Sequence, residues 1–114
     1  MTRLKNKFLL LTFVSIFLIC CAPAIIRPTI EDVDFAKQNW NDISLEQLNK
    51  GYSVYVSKCG GCHFLYKINE FNEKRWLETL PIMGKKAKLT DEQNDLLMKY
   101  IITKCKSSNS SVKK

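Results

Sequence analysis

The stretch Cys59-Gly60-Gly61-Cys62-His63 places two thiols and one imidazole within five consecutive positions. Two residues between the cysteines allow both thiols to lie on one helical turn, where each can form a thioether to one haem vinyl group. The adjoining His63 can then bind the iron from the same side. The pattern therefore predicts one covalently attached haem c, with Cys59 and Cys62 as attachment sites and His63 as an iron ligand.

Three other chemistries use part of this pattern. A four-ligand zinc site needs a second pair of ligands, and outside the motif the chain has no histidine and only three cysteines, Cys20, Cys21 and Cys105. A thioredoxin-like redox pair would follow a strand within a βαβ unit, and no such pattern surrounds Cys59. A structural disulfide between Cys59 and Cys62 stays open, although it gives His63 no role.

The N-terminal segment is typical of an exported protein. Three cations precede an apolar run over residues 8–19, namely Arg3, Lys5 and Lys7. This is the layout of a secretory signal peptide over residues 1–20, and the run is short for a membrane span. Leu18-Ile19-Cys20-Cys21 resembles a bacterial lipobox, which implies that Cys21 is the lipidated first residue of the mature chain. An uncleaved helical anchor is the alternative. Both predict a membrane-anchored domain on the periplasmic side of the bacterial cell envelope.

The remaining length divides into one small domain over residues 44–105 and two flanking segments. Residues 21–43 predict an extended, lipid-anchored tether with a short helix over 31–38, and Trp40 is expected to pack on the domain. Residues 106–114 are polar and basic, which predicts a disordered tail. A domain of this size is marginal for a self-sufficient apolar core, so a buried haem is expected to supply part of it.

Capping and periodicity predict helices and no strands, and so an all-α class. Ser44 and Gln47 match a capping box, followed by apolar residues at helical spacing toward the cysteines. Gly51, in the interior of this helix, predicts close contact with another helix.

Two later helices carry similar signals. Asn72 is the expected N-cap of a second helix, which Pro81 should end or kink. Thr90 and Gln93 match a capping box at the start of a C-terminal helix. Cys105, near its end, is interpreted as a buried small residue, with a reactive thiol or a dimer link as alternatives.

From Ser44 to Lys104 the chain resembles the small monohaem cytochromes c of class I. The resemblance rests on a glycine and aromatic residues before the motif, a tryptophan–methionine pair and two later stretches: Gly51-Tyr52-Ser53-Val54-Tyr55, Trp76 with Met83, Ala87-Lys88-Leu89-Thr90, and Tyr100-Ile101. It implies a cytochrome c-like fold of three to four helices around one covalently attached haem. It also implies that Gly51 and Tyr100 lie near the crossing of the first and last helices.

The same resemblance implies His63 as the proximal iron ligand and Met83 as the distal one. Met83 is expected in a loop-like break after Pro81, and an apolar core position is the alternative. Met98 is the rival ligand and is expected to pack inside the last helix. Many members orient the histidine with the carbonyl of a proline that this chain lacks, so the sequence does not identify the acceptor for His63.

The basic charge suggests a class of partner. Loss of residues 1–20 removes three of the 18 basic residues and none of the 11 acidic ones, so the net charge falls from +7 to +4. Lys85, Lys86 and Lys88 follow Met83 and predict a basic rim that would steer an acidic redox protein. An ordinary solvated loop accounts for them equally well. Export and the haem motif argue against a nucleic-acid partner.

Three functions are compatible with these observations. The first is a membrane-anchored c-type cytochrome that transfers single electrons between respiratory partners, as a carrier or complex subunit and not as an enzyme. The second is a haem protein with an open sixth position, acting as a gas sensor or peroxidase-like enzyme, although the sequence supplies no distal His or Arg. The third is a non-haem adhesin or structural lipoprotein, which requires a Cys59–Cys62 disulfide.

Overall fold

The computed structural model of the protein describes residues 2, 3, 6 and 25–112, and its regular elements there are all helices. The α-helices are α1 (Ile30–Lys37), α2 (Leu45–Val54), α3 (Glu73–Lys86) and α4 (Asp91–Val112). A π-helical turn, Tyr55–Cys59, extends α2, and a 3-10 turn, Ile68–Glu70, precedes α3. The all-α class is confirmed for this part of the chain. The predicted signal peptide and Cys21 lie outside the described residues, apart from residues 2, 3 and 6.

The predicted N-caps of the three longer helices are confirmed. The Ser44 hydroxyl accepts a hydrogen bond from the Gln47 amide at 3.2 Å, and the Gln47 side chain accepts one from the Ser44 amide at 3.0 Å. Thr90 and Gln93 form the same reciprocal pair. Asn72 Oδ1 accepts from the Arg75 amide at 2.9 Å. These caps satisfy amide donors that have no partner within the helix.

Helices α2 and α4 cross in close contact at Gly51, as its position within the helix predicted. A Cβ atom on Gly51 would lie 2.7 Å from Tyr100 Cβ and would collide with the Leu96 carbonyl oxygen. Tyr100 and Leu97 are almost completely buried beside this crossing. The absent side chain therefore allows the two backbones to approach closely.

Pro81 does not end its helix, so the predicted loop-like break after it is wrong. Helix α3 continues through Pro81 to Lys86, so Met83 is helical. Pro81 and Leu77 are both exposed, and water can therefore satisfy the Leu77 carbonyl that the proline leaves without an amide donor. The turn after Pro81 is held by Gly84, which is buried directly against the Asn94 side chain of α4.

The tether prediction is wrong for residues 25–43, which pack on the domain. The short helix within this segment is confirmed as α1. Its Val33 and Ala36 form a second apolar cluster with Ile43 and with Leu48 of α2. Trp40 packs against this cluster and against the main core, as expected. The burial of apolar side chains stabilises this segment on the domain and opposes an extended chain.

The disordered-tail prediction is wrong for residues 106–112, where α4 continues. Lys106 Nζ lies 3.3 Å from a carboxylate oxygen of Glu73, which ties the start of this stretch to α3. The hydroxyls of Ser110 and Ser111 each donate to the carbonyl four residues earlier, at 3.1 Å. Within the described residues, no helix is both long enough and apolar enough to cross a bilayer.

Candidate functional site

A cavity of about 390 Å³ brings together the residues that the sequence singled out. Cys59 lines it from the π-helical turn, Cys62 and His63 from the segment that follows this turn, and Met83 from α3. Its volume falls within the range of roughly 300–1,000 Å³ that is usual for small-molecule sites. The two halves of the predicted site therefore meet in one place, although Met83 reaches it from a helix.

The walls of the cavity are aromatic and aliphatic. Trp76 and Leu80 are buried there, and Tyr66 and Phe71 complete the lining near the motif. The Phe71 and Trp76 rings lie edge to face at 5.3 Å between centroids, as do those of Tyr55 and Trp76 at 6.2 Å. Such pairs add stability beyond the area that they bury. The walls are thus suited to an apolar group.

The polar atoms of the Tyr55 and Trp76 side chains are satisfied by the backbone. Trp76 Nε1–H donates to the Ile68 carbonyl at 2.8 Å, and the Tyr55 hydroxyl donates to the Tyr66 carbonyl at 2.6 Å. Burial raises the pKa of the Tyr55 hydroxyl, so the side chain is neutral at physiological pH. These bonds fix the two rings and leave no buried charge on them.

The motif follows directly from a widened turn of α2. The π-helical turn ends at Cys59, and Gly60 to Cys62 form the turn that follows. A Cβ atom on Gly60 would lie 2.7 Å from the Val56 carbonyl oxygen, whereas one on Gly61 would meet nothing closer than 3.8 Å. π-helical turns are often found at functional sites. Here the turn carries Cys59 to the cavity wall.

The imidazole of His63 has the backbone acceptor that the sequence did not identify. His63 Nδ1 lies 2.7 Å from the Phe64 carbonyl oxygen. In the tautomer that carries its proton on Nδ1, the ring donates this bond and Nε2 remains free to bind a metal. Such a backbone partner is the usual way in which a ligating histidine is oriented.

The environment of the cysteines argues against a catalytic redox dithiol. Cys59 is half-buried, Cys62 is exposed and both are free thiols. Burial raises the pKa of the Cys59 thiol, and the nearby Cys62 raises it further. Reactive dithiols need the opposite shift, because the thiolate is the nucleophile.

The two candidate methionine ligands occupy different places. Met83 is half-buried and lines the cavity, whereas Met98 packs against the main core from α4. The expectation that Met98 packs inside the last helix is confirmed. Cys105 is also buried, as interpreted from the sequence, with its Sγ 3.6 Å from the Phe71 carbonyl oxygen.

Three cations surround the cavity, and the sequence indicated only one of them. Lys85, Lys86 and Lys88 are all exposed, but of these three only Lys86 lines the cavity. Lys58 and Arg75 are the two that sequence reasoning missed. The available signal was adjacency, since Lys58 directly precedes Cys59 and Arg75 directly precedes Trp76. Among residues 25–112, no acidic side chain forms an ion pair with any of the three lining cations.

The residues present fit a haem better than a bare metal ion. In the described part of the chain, no three His, Cys, Asp or Glu side chains converge as a set of metal ligands. A porphyrin supplies its own equatorial nitrogens, so the protein must provide only axial ligands and attachment points. An imidazole and a thioether share this cavity with two thiols and apolar walls.

The site and fold together define an all-α domain with a thiol–imidazole–thioether cavity. No family model, no curated protein and no solved structure matches the chain. Its function must therefore be argued from these residues and their arrangement.

Proposed function

We propose that the protein is a membrane-anchored c-type cytochrome of the small class I type that carries single electrons between redox proteins of the bacterial envelope. One observation supports this above all: Cys59, Cys62, His63 and Met83 line the same apolar cavity. Cys59 and Cys62 would hold haem c covalently, with His63 as the proximal iron ligand and Met83 as the distal one. When bound, the haem supplies a one-electron couple, and a His/Met pair raises its potential.

The protein's own residues contribute positioning and an apolar surrounding. The Phe64 carbonyl orients the His63 ring, and the bonds made by Tyr55 and Trp76 fix the aromatic walls. An apolar shell lowers the local dielectric and so tunes the potential of a group held within it. Electron transfer requires no acid, base or nucleophile among these residues, because no bond of a substrate is made or broken.

The charge at the cavity favours an acidic partner. Lys58, Arg75 and Lys86 place three positive charges around it. An acidic redox protein would be attracted toward this edge, and its association rate would fall with rising salt.

Covalent haem is tested by producing the chain with haem-maturation machinery in a bacterial periplasm. The protein is expected to show a reduced-minus-oxidised c-type spectrum and to keep its colour after denaturation and acid extraction. Cys59→Ser/Cys62→Ser is the matched control and should lose all covalent haem, and His63→Ala should attach it poorly. Colourless wild-type extracts in which the Cys59 and Cys62 thiols can both be alkylated would refute the proposal.

Distal ligation is tested by comparing two methionine variants. Met83→Ala should lose the far-red sulfur–iron band, lower the potential and admit external ligands. Met98→Ala is the control, because Met98 packs in the core away from the cavity, and its band should persist. Loss of the band in Met98→Ala alone would assign the ligand to Met98.

The alternative function, a gas sensor or peroxidase-like enzyme with an open sixth position, is favoured by one observation. Met83 lies in a regular helix, which gives its thioether less freedom to reach an iron than a loop would. Carbon monoxide separates the two functions. Fast, complete binding by the ferrous wild type would support the open site, whereas slow or partial binding supports an electron carrier.

Membrane attachment is proposed at Cys21, outside the described residues. Intact-mass spectrometry of the mature protein should find haem and acyl groups together on a chain that begins at Cys21. A chain that retains residues 1–20 would instead indicate an uncleaved anchor.

A further inference from the structure

The segment closest to the proposed anchor is folded onto the domain. We call residues 25–43 the strap. The Tyr100 hydroxyl of α4 donates to the Ile26 carbonyl at 2.8 Å, and the guanidinium carbon of Arg27 lies 4.8 Å from the centre of the Tyr52 ring. Further along the strap, the Asp32 carboxylate accepts from the Lys104 ammonium group at 3.0 Å. The strap therefore moves with the domain from its first residues.

The link between the proposed anchor and the strap is short. Five residues lead from Cys21 to Ile26, and a fully extended chain covers at most about 18 Å over that distance. The headgroup region of one leaflet is itself roughly 5–8 Å thick. A lipid on Cys21 would thus keep the first strap residues close to the bilayer, and with them the domain.

The strap presents suitable side chains at this end. Ile26 and Ile30 are each 62% exposed, and Arg27 lies between them in the sequence and is exposed as well. Exposed isoleucines next to a cation suit the boundary between acyl chains and anionic headgroups. There the isoleucines are removed from water, and the cation is attracted to the negative headgroups. Within the described part of the chain, no other residue covers these two isoleucine side chains.

We propose that the surface formed by Ile26, Arg27 and Ile30 rests on the lipid surface and holds the domain against the membrane in one orientation. This inference rests on the proposed lipid anchor at Cys21 but is independent of the haem. Cys59 lies seven residues beyond Tyr52, which Arg27 contacts, along α2 and the π-helical turn that extends it. A domain held in one orientation would keep the cavity at one fixed height above the bilayer.

The test measures how deeply two exposed sites lie in the bilayer. Acylated protein is prepared with an environment-sensitive fluorophore on Ile30→Cys or, as the matched control, on Leu77→Cys, an exposed apolar site on α3. The samples are placed on vesicles of anionic phospholipid that carry a quencher in the acyl chains. Quenching at position 30 is expected to be at least several-fold stronger than at position 77. Equal quenching at the two sites, as for a domain swinging on a free tether, would overturn the proposal.

Intact mass of the same samples separates this result from the haem hypothesis. If acylated, haem-loaded protein shows equal quenching at the two positions, the fixed orientation is contradicted. The proposal that the protein transfers electrons is not affected by that result. A chain without an acyl group would overturn both the anchor and this inference. If haem does not attach, the two labels are compared in a Cys59→Ser/Cys62→Ser background, and the same difference between positions 30 and 77 is expected.

Discussion

Individual glycines set the spacing of the helices on which the site is built. At Gly51 the obstacles to a side chain are backbone and near-backbone atoms of α4, Leu96 O and Tyr100 Cβ. Such atoms cannot move aside unless the two helices separate. At Gly61, in the CxxCH motif itself, a Cβ atom would meet nothing closer than the Lys58 carbonyl oxygen at 3.8 Å, an ordinary contact. The two positions therefore differ in packing and offer a matched pair of substitutions.

Gly51→Ala is expected to lower the free energy of unfolding by about 1–3 kcal/mol, the usual cost of overpacking a filled site. Gly61→Ala should change it by no more than about 0.5 kcal/mol, as is typical away from packed positions. Urea unfolding of the two variants, followed by far-ultraviolet circular dichroism, measures the difference. Equal midpoints would show that α2 and α4 separate without cost and would contradict this packing account.

At the residue scale, the sequence predicted those site members whose signal is local. Cys59, Cys62 and His63 form a contiguous pattern, and the structure places all three on one cavity. For Lys58 and Arg75 the sequence offered only adjacency to Cys59 and Trp76. That both line one cavity depends on how α2 and α3 each pack against α4. The acceptor for His63 was also beyond the sequence, since it is a backbone carbonyl with no signature of its own.

At the scale of elements, helix starts were predictable and two helix ends were not. A start is fixed by a cap within four residues, as at Ser44 and Asn72. The continuation of α3 past Pro81 depends instead on solvent access to a carbonyl and on the contact of Gly84 with α4. Beyond Lys106, α4 is supported by the contact of Lys106 with Glu73, which is distant in the sequence, and by hydrogen bonds of Ser110 and Ser111 within the helix. Both of these helix ends therefore depend on surroundings that the local sequence pattern does not encode.

The ion pair between α1 and α4 should be the strongest polar attachment of the strap. Lys104→Met leaves the Asp32 carboxylate buried without its cation, which is expected to cost about 3–5 kcal/mol. Lys99→Met is the control on the same helix, because Lys99 pairs with a half-exposed Asp95 and such pairs contribute about 0.3–0.5 kcal/mol. Chemical denaturation of both variants measures the costs, and similar values would show that the buried pair does not hold α1 in place.

The same ion pair predicts a dependence of stability on acid. Burial acts to raise the pKa of Asp32, but hydrogen bonds from the Thr29 amide and the Lys104 ammonium outweigh it, so the pKa lies below its usual value. A carboxyl whose pKa is lowered in the folded state stabilises the protein fully above its unfolded-state pKa of about 3.9. This stabilisation is lost as the pH falls through the folded-state pKa. The stability difference between wild type and Asp32→Asn should therefore be constant above about pH 4.5 and shrink below it. A difference that grows on acidification would contradict this sign.

At the scale of the whole molecule, the cavity and the core are continuous. Tyr55, Trp76 and Leu80 belong to the main apolar cluster and also line the cavity. A domain of fewer than about 100 residues has little apolar core to spare. A haem in the cavity would extend the core across these three side chains, whereas an unfilled cavity leaves their inner faces without partner atoms. Stability should consequently depend on the cofactor to a degree unusual for a larger protein.

The wild-type chain is therefore expected to melt at least about 10 °C higher when it carries haem than when it is made without maturation machinery. This corresponds to a few kcal/mol at about 4–8 °C per kcal/mol for a domain of this size. Circular dichroism melting at 222 nm on the two preparations of the same sequence provides the measurement. Cys59→Ser/Cys62→Ser cannot attach haem, so its two preparations should melt together, and this controls for differences in production. Equal melting temperatures for the two wild-type preparations would contradict this expectation. They would mean that the aromatic walls are stable without haem and that a filled cavity adds nothing to the apolar core.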